Sequence, residues 1–156
     1  MHALIIVILS IALFAVVLFA GVNNINTDYF NIQNKYNKIE ADIANFSSSF
    51  STYESLKGYK LPLSNWETNL AEVSKYKFSS FEDGTVWTYS SNVNGYYICL
   101  SNESMKKTVF SAINKIANEK EYAFLNENCG SDENSASYSV PTEFPAKAAL
   151  TYWITL

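Results

Sequence analysis

The sequence predicts an α+β fold: a long N-terminal helical spine, apolar in its first half, packed on a small antiparallel β-sheet domain with short helices and one disulfide. Three observations carry this. Residues 3–22 form an uncharged apolar run. From Ile25 to Tyr53 a stripe follows at Ile25, Tyr29, Ile32, Tyr36, Ile39, Ile43, Phe46, Phe50 and Tyr53, with spacings alternating four and three, the signature of one helix face. After Gly58, short runs of β-branched and aromatic residues alternate with Gly, Pro, Asn and Asp punctuation, which reads as strands and turns. The implied division is an N-terminal helix over 1–57, apolar over 1–22 and amphipathic over 23–57, and a head domain over 58–156.

The apolar run rises about 30 Å as a helix, the thickness of a bilayer's hydrocarbon core. Only Ser10 and Gly21 interrupt it. Gly21, Asn23, Asn24 and Asn26 are poor interior helix residues and mark a weak point. The stripe beyond averages 3.5 residues per repeat, which suits either a coiled-coil seam or packing on the chain's own sheet. Its later half is assigned to the sheet, and Ile25, Tyr29 and Ile32 to neighbouring subunits. Asn31, Asn34, Lys38, Asp42 and Asn45 on the other face are assigned to solvent or a wet interface. Ser47, Ser48, Ser49 and Ser51 lower helix propensity ahead of an end near Lys57 and Gly58.

Pro62 prevents continuation. Ser64 with Glu67 reads as a capping box, opening a short helix to about Lys75 with Leu70 and Val73 inward. Asp83-Gly84 is a turn, and Thr85 to Ser90 a strand carrying Val86, Trp87 and Tyr89. Asn94-Gly95 turns into a second strand, Tyr96 to Leu100, making a β-hairpin with a longer loop. A helix is expected from Ser104 to about Lys120, burying Val109, Ile113 and Ile116. A short strand over Tyr122–Leu125, a polar loop over Asn126–Ser137 and a final strand over Ala148–Leu156 complete the head. In that last strand Leu150, Tyr152 and Ile154 share the inward face, and helices cover one side of the sheet.

The 11 Tyr, 10 Phe and 3 Trp supply the large burial per residue that a small core needs. Net charge is −4 and every basic residue is Lys, which argues against a nucleic-acid surface with its basic clusters and Arg forks. Cys99 and Cys129 follow an export-type segment and read as one disulfide in an oxidising compartment; the alternative is two reduced, unrelated thiols. His2 is the only histidine, so neither a Ser–His–Asp relay nor a histidine metal centre is expected. The five glycines are scattered and form no phosphate-cradling loop. Glu82-Asp83 and Asp132-Glu133 read as solvated loop charge. Glu127, Asp132 and Glu133 lack the regular oxygen-ligand spacing of a calcium loop. Asn45-Phe46-Ser47 and Asn102-Glu103-Ser104 match the three-residue glycosylation sequon. No catalytic, cofactor-binding or metal-binding residue is assigned, and the chain is not expected to be an enzyme.

The apolar run has three readings. A cleaved secretory signal carries a basic n-region and small residues at −3 and −1 of the cut, whereas only Met1 and His2 precede this run and a cut after Ala20 puts Leu18 at −3. A single-pass anchor is oriented by flanking Lys or Arg, yet the nearest Lys is Lys35. In the third, a short basic leader is removed just before Met1. With its apolar start, a helix reaching about Tyr53 and two cysteines bracketing the last third, the chain resembles mature type IV pilins and pilin-like proteins.

That resemblance implies leader removal by a dedicated peptidase and N-methylation of Met1. It implies an assembly helix whose packing residues are Ile5, Ile8, Ser10, Ala12, Leu13, Ala15, Val16, Phe19 and Gly21. The implied partners are further copies of the chain in a helical homopolymer, the inner-membrane assembly machinery, and the membrane before assembly. The implied location is the inner membrane and then a filament on the cell surface, serving adhesion, motility or DNA transfer. No cofactor is implied. Two features depart from the family pattern. Ile5 stands where the family usually has glutamate, and Gly21-Val22 where it usually has proline. The alternatives are a minor pilin or secretion-type pseudopilin, and a membrane-anchored interaction protein.

Overall fold

The computed structural model describes residues 11, 27–75, 77–136 and 138–155. The chain forms two compact units, Met1–Phe30 and Asn31–Leu156. The expectations for Met1 and for the assembly residues Ile5, Ile8, Ser10, Ala12, Leu13, Ala15, Val16, Phe19 and Gly21 lie outside the described residues. Among the described residues, no helix is long and apolar enough to cross a membrane.

Helix α1 spans Thr27–Lys57. Its stripe buries Tyr36, Ile39, Ile43, Phe46, Phe50 and Tyr53, as four-and-three spacing requires of a helix lying on a core. Ile32, assigned above to neighbouring subunits, is half-buried and packs against that core as well; Tyr29 is 67% exposed. The serine-rich turns stay helical because Ser47 Oγ donates to the Ile43 carbonyl at 2.9 Å and Thr52 Oγ1 to that of Ser48 at 2.9 Å, satisfying the hydroxyls within the helix. Gly58, at φ 77°, ends α1, its N–H bonding the Glu54 carbonyl at 2.8 Å. This is the left-handed stop that glycine adopts with little strain.

Helix α2, Trp66–Ala71, corrects the capping-box expectation. Its N-cap is Asn65, in the left-handed region at φ 53° and making no side-chain cap. Asn69 Nδ2 instead donates to the Ser64 carbonyl at 3.2 Å. The helix therefore begins one residue later than a Ser64 cap would place it, and it closes before Lys75.

Strands β1, Val86–Asn92, and β2, Gly95–Met105, pair antiparallel with Trp87 opposite Leu100 and Asn92 opposite Gly95. Only Val93 and Asn94 form the connection, a tighter turn than expected, and Val93 is 99% exposed. β2 continues to Met105, which pairs with Ala146, so helix α3 is Lys107–Glu119 and does not begin at Ser104. It buries Val109, Phe110, Ala112, Ile113 and Ile116. Strands β3, Ala123–Asn126, and β4, Ala146–Thr155, complete a four-stranded antiparallel sheet in the order β1-β2-β4-β3.

The main core joins the α1 stripe and the α3 face to Trp87, Tyr89, Ile98, Leu100 and Leu150 of the sheet. Phe46 lies within it, its ring centroid 5.6 Å from those of Phe78 and Tyr89 and 5.8 Å from that of Trp66. The opposite sheet face carries a second small core of Tyr97, Cys99, Ala149 and Trp153. The alternation in β4 thus has two buried sides.

Candidate functional site: a disulfide-stapled loop and its cleft

Cys99, fully buried on β2, and Cys129, in the polar loop after β3, form the expected disulfide with Cα atoms 5.7 Å apart. The cross-link carries the loop onto the second sheet face, where backbone and side chains hold it. Gly130 N–H donates to Thr151 Oγ1 at 2.9 Å, and Trp153 Nε1–H to the Ser131 carbonyl at 2.8 Å. Gly130 sits at φ 89°, a backbone conformation that favours glycine, and a Cβ there would stand 3.0 Å from the Tyr97 hydroxyl. Trp153 packs edge-on against Tyr97 with ring centroids 4.9 Å apart.

The loop also reaches the β1–β2 turn. Asn94 Nδ2 donates to Asp132 Oδ2 at 2.6 Å, while Asp132 Oδ1 accepts from Asn134 N–H at 3.0 Å and Ser135 Oγ at 3.1 Å. Asp132 is therefore a structural tie and not the freely solvated charge expected of an Asp-Glu pair. Between turn, loop and sheet edge lies a cleft of about 380 Å³, walled by Tyr122, Phe124 and Trp153. Glu121, Glu133 and Asn134 line it beside the Asn94–Asp132 bond. Trp153 N–H bonds the Tyr122 carbonyl at 3.0 Å, which fixes the aromatic wall to β4.

Two other carboxylates differ from expectation. Asp42, expected on a solvated face, is only 1% exposed. Its Oδ2 accepts from Trp87 Nε1 at 2.9 Å and Ser79 N–H at 3.2 Å, and its Oδ1 from Ser79 Oγ at 3.0 Å. Burial pushes the Asp42 carboxyl above its ordinary value, against the opposing pull of those bonds and of Lys38. Asp83, read as solvated, is half-buried; desolvation works to raise it, but hydrogen bonds from Thr85 Oγ1, Lys106 N–H and Thr85 N–H bring it below its ordinary value. Asn102 of the second sequon is likewise engaged, its Nδ2 donating to the Asp83 carbonyl at 2.7 Å. These groups tie loops to strands, with their acceptors directed at backbone N–H and indole donors.

Among the described residues, no group of three or more His, Cys, Asp or Glu side chains is placed to hold a metal ion. Among the described residues singled out in the sequence, the structure joins Cys99 to Cys129 and places Asp132 and Glu133 together at the cleft. By sequence, Asn94 is a turn residue and Thr151 and Trp153 are strand residues, with no sign of a role at the loop. The available signal for a covered second face was the uncharged series Ala149, Thr151, Trp153 alternating with Leu150, Tyr152 and Ile154. No protein-family profile, curated protein or solved structure matches the chain.

Proposed function

We propose that the chain is the structural subunit of a bacterial type IV pilus-like filament, polymerising through its apolar N-terminal segment to carry the head on a cell-surface fibre. The observation that carries this reading is the order of parts. An uncharged apolar run of 20 residues is followed by helix Thr27–Lys57, whose later turns help form the core of a disulfide-containing head. A run of that length and character needs lipid or like segments around it. Small residues within it, Ser10, Ala12, Ala15 and Ala20, permit close approach of neighbouring helices. Membrane residence before assembly, leader removal, Met1 methylation and roles in adhesion, motility or DNA transfer belong to the same proposal.

Ile5 favours a second reading, a minor pilin or pseudopilin. Glutamate there would pair with a neighbour's terminal amine; an isoleucine leaves the segment wholly apolar and removes that device for register. Cryo-electron microscopy of purified filaments separates the two. A helical array of this chain alone is expected, and a few copies confined to a tip would overturn the major-subunit reading. Ile8→Asp or Leu13→Asp should abolish filaments while the head still folds, and normal filaments in both variants would overturn assembly through this segment.

A further inference from the structure

The two edges of the head's sheet are complementary to each other. Hydrogen-bonded and non-hydrogen-bonded pairs alternate along an antiparallel ladder, so one bond sets the phase across all four strands. Trp153 N–H donates to the Tyr122 carbonyl at 3.0 Å, next to the Ala123–Tyr152 pair. Thr151 therefore bonds towards β3, while Tyr152 and Leu150 bond towards β2 at Ile98 and Leu100. Tyr97, Cys99 and Ser101 are left to bond β1 at Ser90, Thr88 and Val86. The backbone N–H and C=O groups of Trp87, Tyr89 and Ser91 thus point off the β1 edge, and those of Leu125 and the Ala123 carbonyl off the β3 edge. Among the described residues none of these groups has a hydrogen-bond partner. Edge strands are commonly guarded by charge, proline or a bulge, yet Val86–Asn92 is uncharged, has no proline and pairs with β2 in unbroken register.

We propose that β3 of one copy adds to β1 of a second copy, continuing one antiparallel sheet from head to head. Direction, facing and charge favour this occupant. Neighbouring strands alternate in direction through the order β1-β2-β4-β3, so two heads in the same orientation meet antiparallel. Trp87, Tyr89, Ala123 and Leu125 all direct their side chains to the helix-covered core, so the joint keeps that core on one side of the sheet. Leu125 then exchanges two backbone bonds with Tyr89, Ser91 N–H meets the Ala123 carbonyl, and Glu127 comes opposite Trp87. Lys77 is there, adjoining Phe78, whose ring centroid lies 5.3 Å from that of Trp87. Glu127 and Lys77 are exposed, and neither takes part in an ion pair among the described residues; the joint supplies each with its opposite charge. The choice of like-oriented copies rests on the filament reading, since β1 against a second β1 about a two-fold axis would point the two α1 helices in opposite directions.

The test is amide hydrogen exchange of the full chain, read residue by residue by mass spectrometry. Assembled filaments are compared with chain dispersed in a non-ionic maltoside detergent at low and high concentration. Exchange at Tyr89, Ser91 and Leu125 should slow by about tenfold on assembly or on concentration, while Thr88 and Phe124, bonded within one sheet, change little. Ser91→Pro removes a donor that the head itself does not use, as an edge strand tolerates, and should abolish the slowing at Leu125. If that variant loses its near-UV circular dichroism, the charge variants serve. Lys77→Glu and Glu127→Lys should each reduce the slowing by about threefold, and the double reversal should restore it. Filaments in which Leu125 exchanges unslowed overturn the joint and leave the filament reading standing. Concentration-dependent slowing at all three amides without filaments supports the joint and counts against that reading. Slowing at Tyr89 and Ser91 without Leu125 marks a β1–β1 contact and overturns the proposal, as does a double reversal that restores nothing.

Discussion

Replacing Asp42 with Ala tests the buried link between α1 and β1. The substitution removes the acceptor of the Trp87 indole N–H, at 2.9 Å in a buried setting, and the carboxylate to which both the N–H and the Oγ of half-buried Ser79 donate. Water can reach Ser79 more readily than it can the indole. Loss of a hydrogen bond to a charged group, with a buried donor left unsatisfied, sets the expected destabilisation at about 2–3 kcal/mol. In a Trp87→Phe background the donor is already absent, so Asp42→Ala should then cost about 1 kcal/mol, a coupling of about 1–2 kcal/mol. Urea unfolding of the four chains followed by far-UV circular dichroism measures this. Coupling within about 0.5 kcal/mol of zero would refute the link, because independent sites add to that precision. The same residue has a signature in pH. Its carboxyl is raised above 3.8, first by burial, so the native state holds the proton more tightly than the unfolded chain. Its contribution to stability is therefore fully present below the unfolded value and is lost as pH rises through the native one. Relative to Asp42→Asn, the unsubstituted chain should gain stability as pH falls from neutral towards 4. A flat or opposite trend would show that desolvation does not dominate.

The Cys99–Cys129 cross-link, with a sequence separation of 30 residues, should contribute about 3–4 kcal/mol by loop-closure entropy. Cys129→Ala, which removes an exposed partner, should lower the melting temperature to that of the reduced chain; an unchanged melt on reduction would contradict a stabilising role. Gly130→Ala, at φ 89° and facing the Tyr97 hydroxyl, should destabilise by about 1–2 kcal/mol from left-handed strain alone, read by thermal unfolding. Trp153→Phe retains a ring against Tyr97 and frees the Ser131 carbonyl, with an expected loss of about 0.5–1.5 kcal/mol. Hydrogen exchange should accelerate in the loop after β3 while that of α1 is unchanged.

The elements were legible where local periodicity and punctuation carry the information. The α1 stripe from Tyr36 to Tyr53, its stop at Gly58 and the α3 face of Val109, Ile113 and Ile116 lie where spacing and turn residues put them, and the β1–β2 hairpin forms with a tighter turn, at Val93-Asn94. Boundaries were less legible. β2 runs on through Ser101–Met105 because β4 pairs with it as far as Ala146, and sheet partners override the local helix signal of Ser104. The Ser64–Glu67 motif did not cap α2 because the Asn65 backbone turned left-handed first. Of the candidate site, the cysteine pair was readable from count and context; the cleft was not, since its walls come from the hairpin turn, the turn between α3 and β3, β3, the stapled loop and β4.

The sequence by itself determined the striped helix Thr27–Lys57, the antiparallel α+β head and the pair of cysteines, because hydrophobic period, turn chemistry and cysteine count act over a few residues or over composition. Tertiary structure alone decided that Asp42 would be buried under Trp87, 45 residues away, and that the second face of the sheet would be closed by the loop at Cys129. It also brought Glu121 and Glu133, 12 positions apart in the chain, to the same cleft as Trp153 of β4. A side chain's polarity is written in the sequence, but whether it faces water depends on which distant segment packs against it, and that is set only when the sheet, helices and loop close on one another.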